Sequence, residues 1–120
     1  MNRRILRDMR TIIAIALLFL LAFTASAADE VTLTGEIVDL HCYTSRGARG
    51  EEHAGCSNAC LSRDVPAGFL TDDGTLNLLV NEKPTSVKDK VAGKAGKKVT
   101  AKGTLVERSG LKALQLTSVE

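Results

Sequence analysis

The sequence is poor in aromatic residues: it contains no tryptophan, one tyrosine and three phenylalanines. Two of the phenylalanines fall within the first 27 residues, so the rest of the chain has only Tyr43 and Phe69 as aromatic rings. Proteins that bind single-stranded nucleic acid stack successive bases on several such rings. The scarcity of rings therefore argues against nucleic acid as a partner.

The chain also lacks an excess of charge of one sign once its N-terminal segment is set aside. Of the 16 basic and 14 acidic residues, four basic residues and one acidic residue lie within the first 27 positions. Residues 28–120 are therefore close to neutral. Nothing in this balance favours binding to nucleic acid or to an anionic membrane.

No apolar run is long enough to predict a transmembrane helix. The main run, from Thr11 to Phe23, is shorter than the roughly 20 residues that a membrane-spanning helix needs. It follows a segment with four arginines, and Ala25-Ser26-Ala27 supplies a small-residue cleavage site. This order predicts a cleavable signal peptide over residues 1–27, a single domain over residues 28–120, and a periplasmic or secreted protein with no membrane association after cleavage.

Recognisable enzyme patterns are missing as well. No Ser/His/Asp set, pair of catalytic carboxylates or phosphate-binding loop stands out. The closest cysteines are spaced Cys-x-x-x-Cys, which differs from the Cys-x-x-Cys pattern of thioredoxin-like oxidoreductases, and Leu61 after Cys60 excludes a haem attachment motif. The sequence therefore predicts no catalytic activity.

What is present is a pattern of strands. Alternating apolar and polar residues from Val31 to Leu40 predict a half-buried strand. The turn signal Asp72-Asp73-Gly74 predicts a hairpin between strands at 68–70 and 75–80. Residues 98–106 and 111–117 alternate again on either side of a Ser-Gly turn, which predicts a second hairpin.

A short helix is expected between the two hairpins. Thr85 or Ser86 can cap a helix that runs to Val91, with Gly93 as a stop beyond its end. Three strands, a short helix and two further strands are typical of a mostly β, five-stranded OB-like (oligomer-binding) barrel, in which closure hides the sheet edges. A second short helix, bearing cysteines, is expected between strands 1 and 2.

All the cysteines and histidines of the chain lie within one segment. They are His41, Cys42, His53, Cys56 and Cys60. In a helix, Cys56 and Cys60 are four residues apart and lie on one face, where both thiols can reach a common atom. His53 in the preceding loop and Cys42 on the first strand would complete a set of three sulfurs and one nitrogen. His41 is expected to point to the opposite face of that strand.

This set of ligand types predicts a metal site. Three thiolates and one imidazole suit tetrahedral Zn²⁺, and thiolate-rich ligation also suits Cu(I). The predicted ligands are Cys42, His53, Cys56 and Cys60. Asp39 precedes them as either a hydrogen-bonding residue at the strand end or an inward carboxylate near the cluster.

Two other uses of the cysteines remain open. An oxidising compartment favours a disulfide, which would leave one spare thiol and make the protein a structural or interaction domain. A bridge from Cys42 to Cys56 or Cys60 is easier than one between Cys56 and Cys60, whose Cβ atoms in a regular helix lie about 6 Å apart. The third possibility is a thiol-redox partner protein. The partner is accordingly a metal ion or another exported protein.

Three motifs carry a resemblance to known proteins. Thr34 to Cys42 reads Thr-Gly-x-Ile/Val-x-Asp-x-x-Cys, His53 to Cys60 reads His-x-x-Cys-x-x-x-Cys, and Gly96 to Gly103 reads Gly-Lys-x-Val-x-x-x-Gly. In these motifs the chain resembles a set of small exported bacterial proteins with an OB-like fold. The resemblance covers most of residues 28–120. It implies the OB-like barrel, and it implies no particular activity.

Overall fold

The structure is a computed structural model that describes residues 3–9 and 28–120. Residues 3–9 are helical, whereas the apolar run and the cleavage site of the predicted signal peptide lie outside the described residues. Among the helices that are described, none is long and apolar enough to cross a membrane.

The domain consists of five strands and several short helical segments. The strands are β1 (Glu30–Asp39), β2 (Ala67–Thr71), β3 (Leu76–Asn81), β4 (Lys98–Arg108) and β5 (Leu111–Val119). The α-helices of the domain, numbered from residue 28 onward, are α1 (Leu40–Arg46), α2 (Ala54–Ser62) and α3 (Lys88–Val91). A 3₁₀ turn, Glu51–His53, leads directly into α2.

The five strands form one sheet that closes into a ring in the order β1-β2-β3-β5-β4. Antiparallel pairing joins β1 to both β2 and β4, and β5 is parallel to β3 and antiparallel to β4. The predictions of a mostly β domain, of a cysteine-bearing helix between β1 and β2, and of a short helix between β3 and β4 are confirmed.

The interior of the ring is filled by aliphatic side chains and one aromatic ring. The buried cluster consists of Ile37, Leu61, Ala67, Phe69, Leu79, Val91, Ala95, Val99, Ala101, Leu114 and Leu116. Two of these residues come from helices: Leu61 from α2 and Val91 from α3. Burial of a leucine side chain contributes about 1.5–3 kcal/mol. Leu61 therefore fixes the C-terminal half of α2, which includes the adjacent Cys60, against the sheet.

The predicted turns lie at their expected places. The β2–β3 hairpin turns through Gly74, which has a φ of 86°, and the amide of Thr71 donates to the carbonyl of Thr75 at 2.9 Å. The second hairpin turns at Ser109 and Gly110. Before α3, the Ser86 hydroxyl accepts a hydrogen bond from the amide of Lys88 at 3.1 Å.

The end of the first strand differs from the prediction. The sequence pattern placed Cys42 on a strand, but β1 ends at Asp39 and the chain turns at once into α1. The reason is a helix cap: the Asp39 carboxylate accepts a hydrogen bond from the amide of Cys42 at 2.8 Å. His41 and Cys42 still face different surroundings, His41 exposed and Cys42 buried, because successive residues of a helix point about 100° apart.

Gly35 marks the point where β1 passes from one neighbour to the other. It pairs with Val99 of β4 and with Thr71 of β2, without a shift in register. A Cβ atom at this position would lie 2.3 Å from the carbonyl oxygen of Leu70. The glycine is therefore required by the close approach of two strands.

This contact predicts a large effect for a small substitution. We expect Gly35→Ala to lower the free energy of unfolding by about 2 kcal/mol or more, because backbone atoms must move to admit the methyl group. Gly55→Ala is the matched control: no heavy atom lies within 4 Å of its Cβ position in α2. Urea unfolding should show the control to be unchanged or about 0.5–1 kcal/mol more stable. Equal stability of Gly35→Ala and wild type would contradict the close approach.

A second prediction concerns the dependence of folding stability on pH. Hydrogen bonds from Thr71 and Thr75 lower the pKa of the exposed Asp73 carboxyl in the β2–β3 turn. Because the pKa is lower in the folded state than in the unfolded state, the carboxylate stabilises the fold above about pH 4 and loses this effect as the pH falls. Asp73→Asn should be slightly less stable than wild type at pH 7, and the difference should shrink as the pH falls below about 4. A pH-independent difference in urea midpoints would refute this assignment.

Candidate metal centre

Three of the four predicted ligands, Cys42, His53 and Cys56, form one group where β1, α1 and α2 meet, and Cys60 adjoins this group through Cys42. Cys42 lies on α1, His53 ends the 3₁₀ turn, and Cys56 and Cys60 lie on α2. Their exposure differs: Cys42 and Cys60 are buried, with 5% and 9% of their surfaces exposed, whereas Cys56 is exposed. The cluster therefore reaches from the interior of the domain to its surface.

The side-chain donor atoms form two overlapping groups. Cys42, His53 and Cys56 form one group, and Asp39, Cys42 and Cys60 form the other; within each group the donor atoms lie within 4.8 Å of one another. Ligands of a tetrahedral zinc ion bound through sulfur at 2.3 Å are about 3.8 Å apart. Each group thus requires side-chain adjustments of only about 1 Å to meet a common ion.

The sulfur of Cys42 belongs to both groups. Three of the predicted ligands, Cys42, His53 and Cys56, lie in one group, and the fourth, Cys60, lies in the other group with Asp39. Cys42 thus occupies the centre of the cluster, although the sequence had placed it on a strand.

His53 lies outside the regular part of α2, as the sequence predicted. Its amide donates to the carbonyl of Gly50 at 3.1 Å, and Gly50 has a φ of 80°, which favours glycine. The amide of Gly50 in turn donates to the Glu36 carboxylate on β1. The turn that carries His53 is therefore fixed to the sheet at its start.

Asp39 connects the elements that carry the ligands. Its side chain is fully buried, and one oxygen caps α1 through the Cys42 amide. The other oxygen accepts a hydrogen bond from the Ser57 hydroxyl of α2 at 2.7 Å and lies 3.3 Å from Nε2 of His53. Both interpretations of Asp39 from the sequence hold, since it is a hydrogen-bonding residue at the strand end and an inward carboxylate beside the cluster.

These hydrogen bonds keep Asp39 ionised. Burial alone raises the pKa of the Asp39 carboxyl, but hydrogen bonds from Cys42, Ser57 and His53 outweigh burial and hold the pKa below its ordinary value. The carboxylate is consequently a fixed negative charge inside the cluster, where it favours a cation.

The protein environment has the opposite effect on the thiol of Cys42. Burial, followed by the neighbouring Asp39, raises the pKa of the Cys42 thiol, and Arg46 partly offsets this rise. The Arg46 guanidinium lies 3.4 Å from the Cys42 sulfur, and the Arg63 guanidinium lies 3.7 Å from the Cys60 sulfur. A coordinated metal ion would have the opposite effect and lower the pKa of this thiol, because thiols that bind a metal lose their protons.

Sequence reasoning missed two parts of the site. Asp39 was noted but was not included among the site residues, although the spacing Asp-x-x-Cys is that of a helix cap and its third residue. Ser57 was not noted at all, and no local signal identifies it, because its partner Asp39 lies 18 residues earlier in the chain.

All three cysteines are free in the structure. The Cys42 sulfur nevertheless lies within 4.8 Å of both other sulfurs, and a disulfide requires a separation of about 2.05 Å. The cysteines are therefore arranged around one shared thiol, an arrangement that suits metal binding and thiol exchange.

The site offers donor groups of three chemical kinds. Its elements are a buried carboxylate, an imidazole beside that carboxylate, and three thiols of unequal exposure. Comparisons of the chain with protein-family models, with curated proteins and with solved structures find no match.

Proposed function

We infer that the protein is a small exported metal-binding module that holds Zn²⁺ or Cu(I) through Cys42, His53 and Cys56, with Cys60 as a fourth ligand. The observation that carries the proposal is the grouping of the first three donor atoms within 4.8 Å. These donors come from α1, a 3₁₀ turn and α2, and their sequence positions span 42 to 56. Convergence of ligands from separate elements on one point is expected of a site that the fold maintains.

The contact between Asp39 and His53 supports a metal rather than a chance cluster. Histidines that bind metals usually direct their second ring nitrogen to a carboxylate or carbonyl, which fixes the ring and raises its basicity. In this proposal Nε2 of His53 donates to Asp39, and the other ring nitrogen is the ligand. Ser57 and the Cys42 amide hold the carboxylate in place.

The ligand types narrow the choice of metal. Thiolates and imidazole suit zinc and monovalent copper, whereas Mg²⁺ and Ca²⁺ prefer oxygen ligands. The exposure of Cys56 gives an incoming ion a first point of contact, from which it can pass to the buried Cys42.

The proposal includes the OB-like fold and export suggested by the sequence. A closed five-stranded order with a helix between β3 and β4 supports the OB-like assignment. Export to the periplasm or the medium rests on the predicted signal peptide alone. In that compartment a reduced three-thiol cluster needs protection, and a bound metal provides it.

The proposal predicts one Zn²⁺ or Cu(I) ion per chain in the reduced protein. Cys42→Ser and His53→Ala should each weaken metal binding by at least about a hundredfold, because each removes a ligand. Competition with a coloured chelator and native mass spectrometry would measure affinity and stoichiometry. His41→Ala is the matched control, because His41 is the other histidine of the segment and is exposed on α1.

Two outcomes would refute this assignment. One is an equal loss of affinity in His41→Ala and His53→Ala. The other is a metal-free protein from its native compartment whose mass lacks two hydrogens per chain, which would favour the structural domain held by one disulfide.

A further prediction concerns the carboxylate behind the histidine. Asp39→Asn should lower metal affinity by about 10–100-fold, because His53 loses the charged acceptor that orients it. Circular dichroism of the metal-free variant serves as the control for folding. Unchanged affinity in a folded Asp39→Asn variant would mean that Asp39 only caps α1.

A further inference from the structure

The three thiols differ in a way that metal binding alone does not require. Cys56 is exposed, Cys42 and Cys60 are buried, and the Cys42 sulfur lies within 4.8 Å of each of the others. A disulfide in solution therefore reaches the thiol of Cys56 far more readily than the thiols of Cys42 and Cys60. The fast route for oxidation of the less exposed pair passes through Cys56, which is exposed and whose sulfur lies close to that of Cys42.

We propose that, in the metal-free protein, an external disulfide oxidises the cysteine thiols by thiol–disulfide exchange and is itself reduced to two thiols. Cys56 is the attacking thiol, Cys42 is the resolving thiol, and a buried Cys42–Cys60 disulfide is the final product. The oxidant is a low-molecular-weight or protein disulfide. This activity goes beyond metal binding and does not depend on it.

The proposed reaction consists of three successive thiol–disulfide exchange steps. The Cys56 thiolate attacks one sulfur of the external disulfide, its S–S bond breaks, and one thiolate leaves. The Cys42 thiolate then attacks the Cys56 sulfur of this mixed disulfide, and the second external thiolate leaves. Finally the Cys60 thiolate attacks the Cys42 sulfur and releases Cys56 as a thiolate. Overall, one external disulfide becomes two thiols, and two protein thiols become one disulfide, each leaving thiolate regaining a proton from solvent.

Burial determines which protein disulfide remains. A Cys42–Cys56 bond has one sulfur at the surface, where external thiols can reduce it again. A Cys42–Cys60 bond has both sulfurs buried and leaves Cys56 exposed, where water solvates its thiolate. The guanidinium groups of Arg46 and Arg63 contact the two buried sulfurs and stabilise negative charge on them during the exchange.

The test uses the reduced protein with a metal chelator and oxidised glutathione. Samples are quenched by alkylation at intervals, and peptide mass spectrometry identifies the state of each cysteine. The expected endpoint is a Cys42–Cys60 disulfide with Cys56 alkylated. Cys42→Ser should stop with one glutathione on Cys56, and Cys60→Ser should stop at the Cys42–Cys56 bond.

Substitution of the exposed Cys56 gives the most direct test of the proposed order of steps. Cys56→Ser should form the Cys42–Cys60 bond at least about tenfold more slowly than wild type, because access to a thiol limits its exchange. Circular dichroism of the reduced variant confirms its fold. Oxidation of Cys56→Ser at the wild-type rate, or a wild-type endpoint with Cys42 bonded to Cys56, would overturn the proposal. Because a chelator is present throughout, either result leaves the metal proposal untouched.

Discussion

The buried carboxylate of Asp39 is the interaction on which the rest of the site depends. It ends β1, caps α1, accepts a hydrogen bond from Ser57 of α2 and faces His53. A buried charge is costly unless hydrogen bonds satisfy it, and here three groups do so. Since each group belongs to a different segment of the insertion, the same bonds that keep the carboxylate charged also set the positions of Cys42, His53 and Cys56.

The sheet supplies the rigid support for this arrangement. Leu61 holds α2 in the core and Gly35 lets β1 and β2 approach closely just before the strand reaches Asp39. The insertion between β1 and β2 is consequently built on a closed five-stranded ring whose strands share one buried cluster. Side chains on such a support are held close to one another, as both the metal binding and the thiol exchange that we propose require.

Much of the fold could be predicted from the sequence because its signals are local. Alternation identified the strands, and Gly74 and Gly110 marked the two hairpins. Thr85 or Ser86, the predicted caps, located α3 only approximately, because the helix begins at Lys88. The end of β1 could not be predicted in this way, because the alternation continues to Leu40 while a side-chain cap ends the strand one residue earlier. The residue types able to bind a metal were also evident, because they lie in one short segment of the sequence. The role of Ser57 was not evident, because it depends on a contact with Asp39, 18 residues earlier in the chain.

X-ray absorption spectroscopy of the metal-loaded protein tests the central claim most directly, because it reports the atoms bound to the metal. With zinc, the account predicts a shell dominated by sulfur at about 2.3 Å with one nitrogen at about 2.0–2.1 Å. Substitution of His53 by alanine should remove the imidazole contribution and leave the sulfur shell. A shell of oxygen and nitrogen atoms without sulfur would contradict the account.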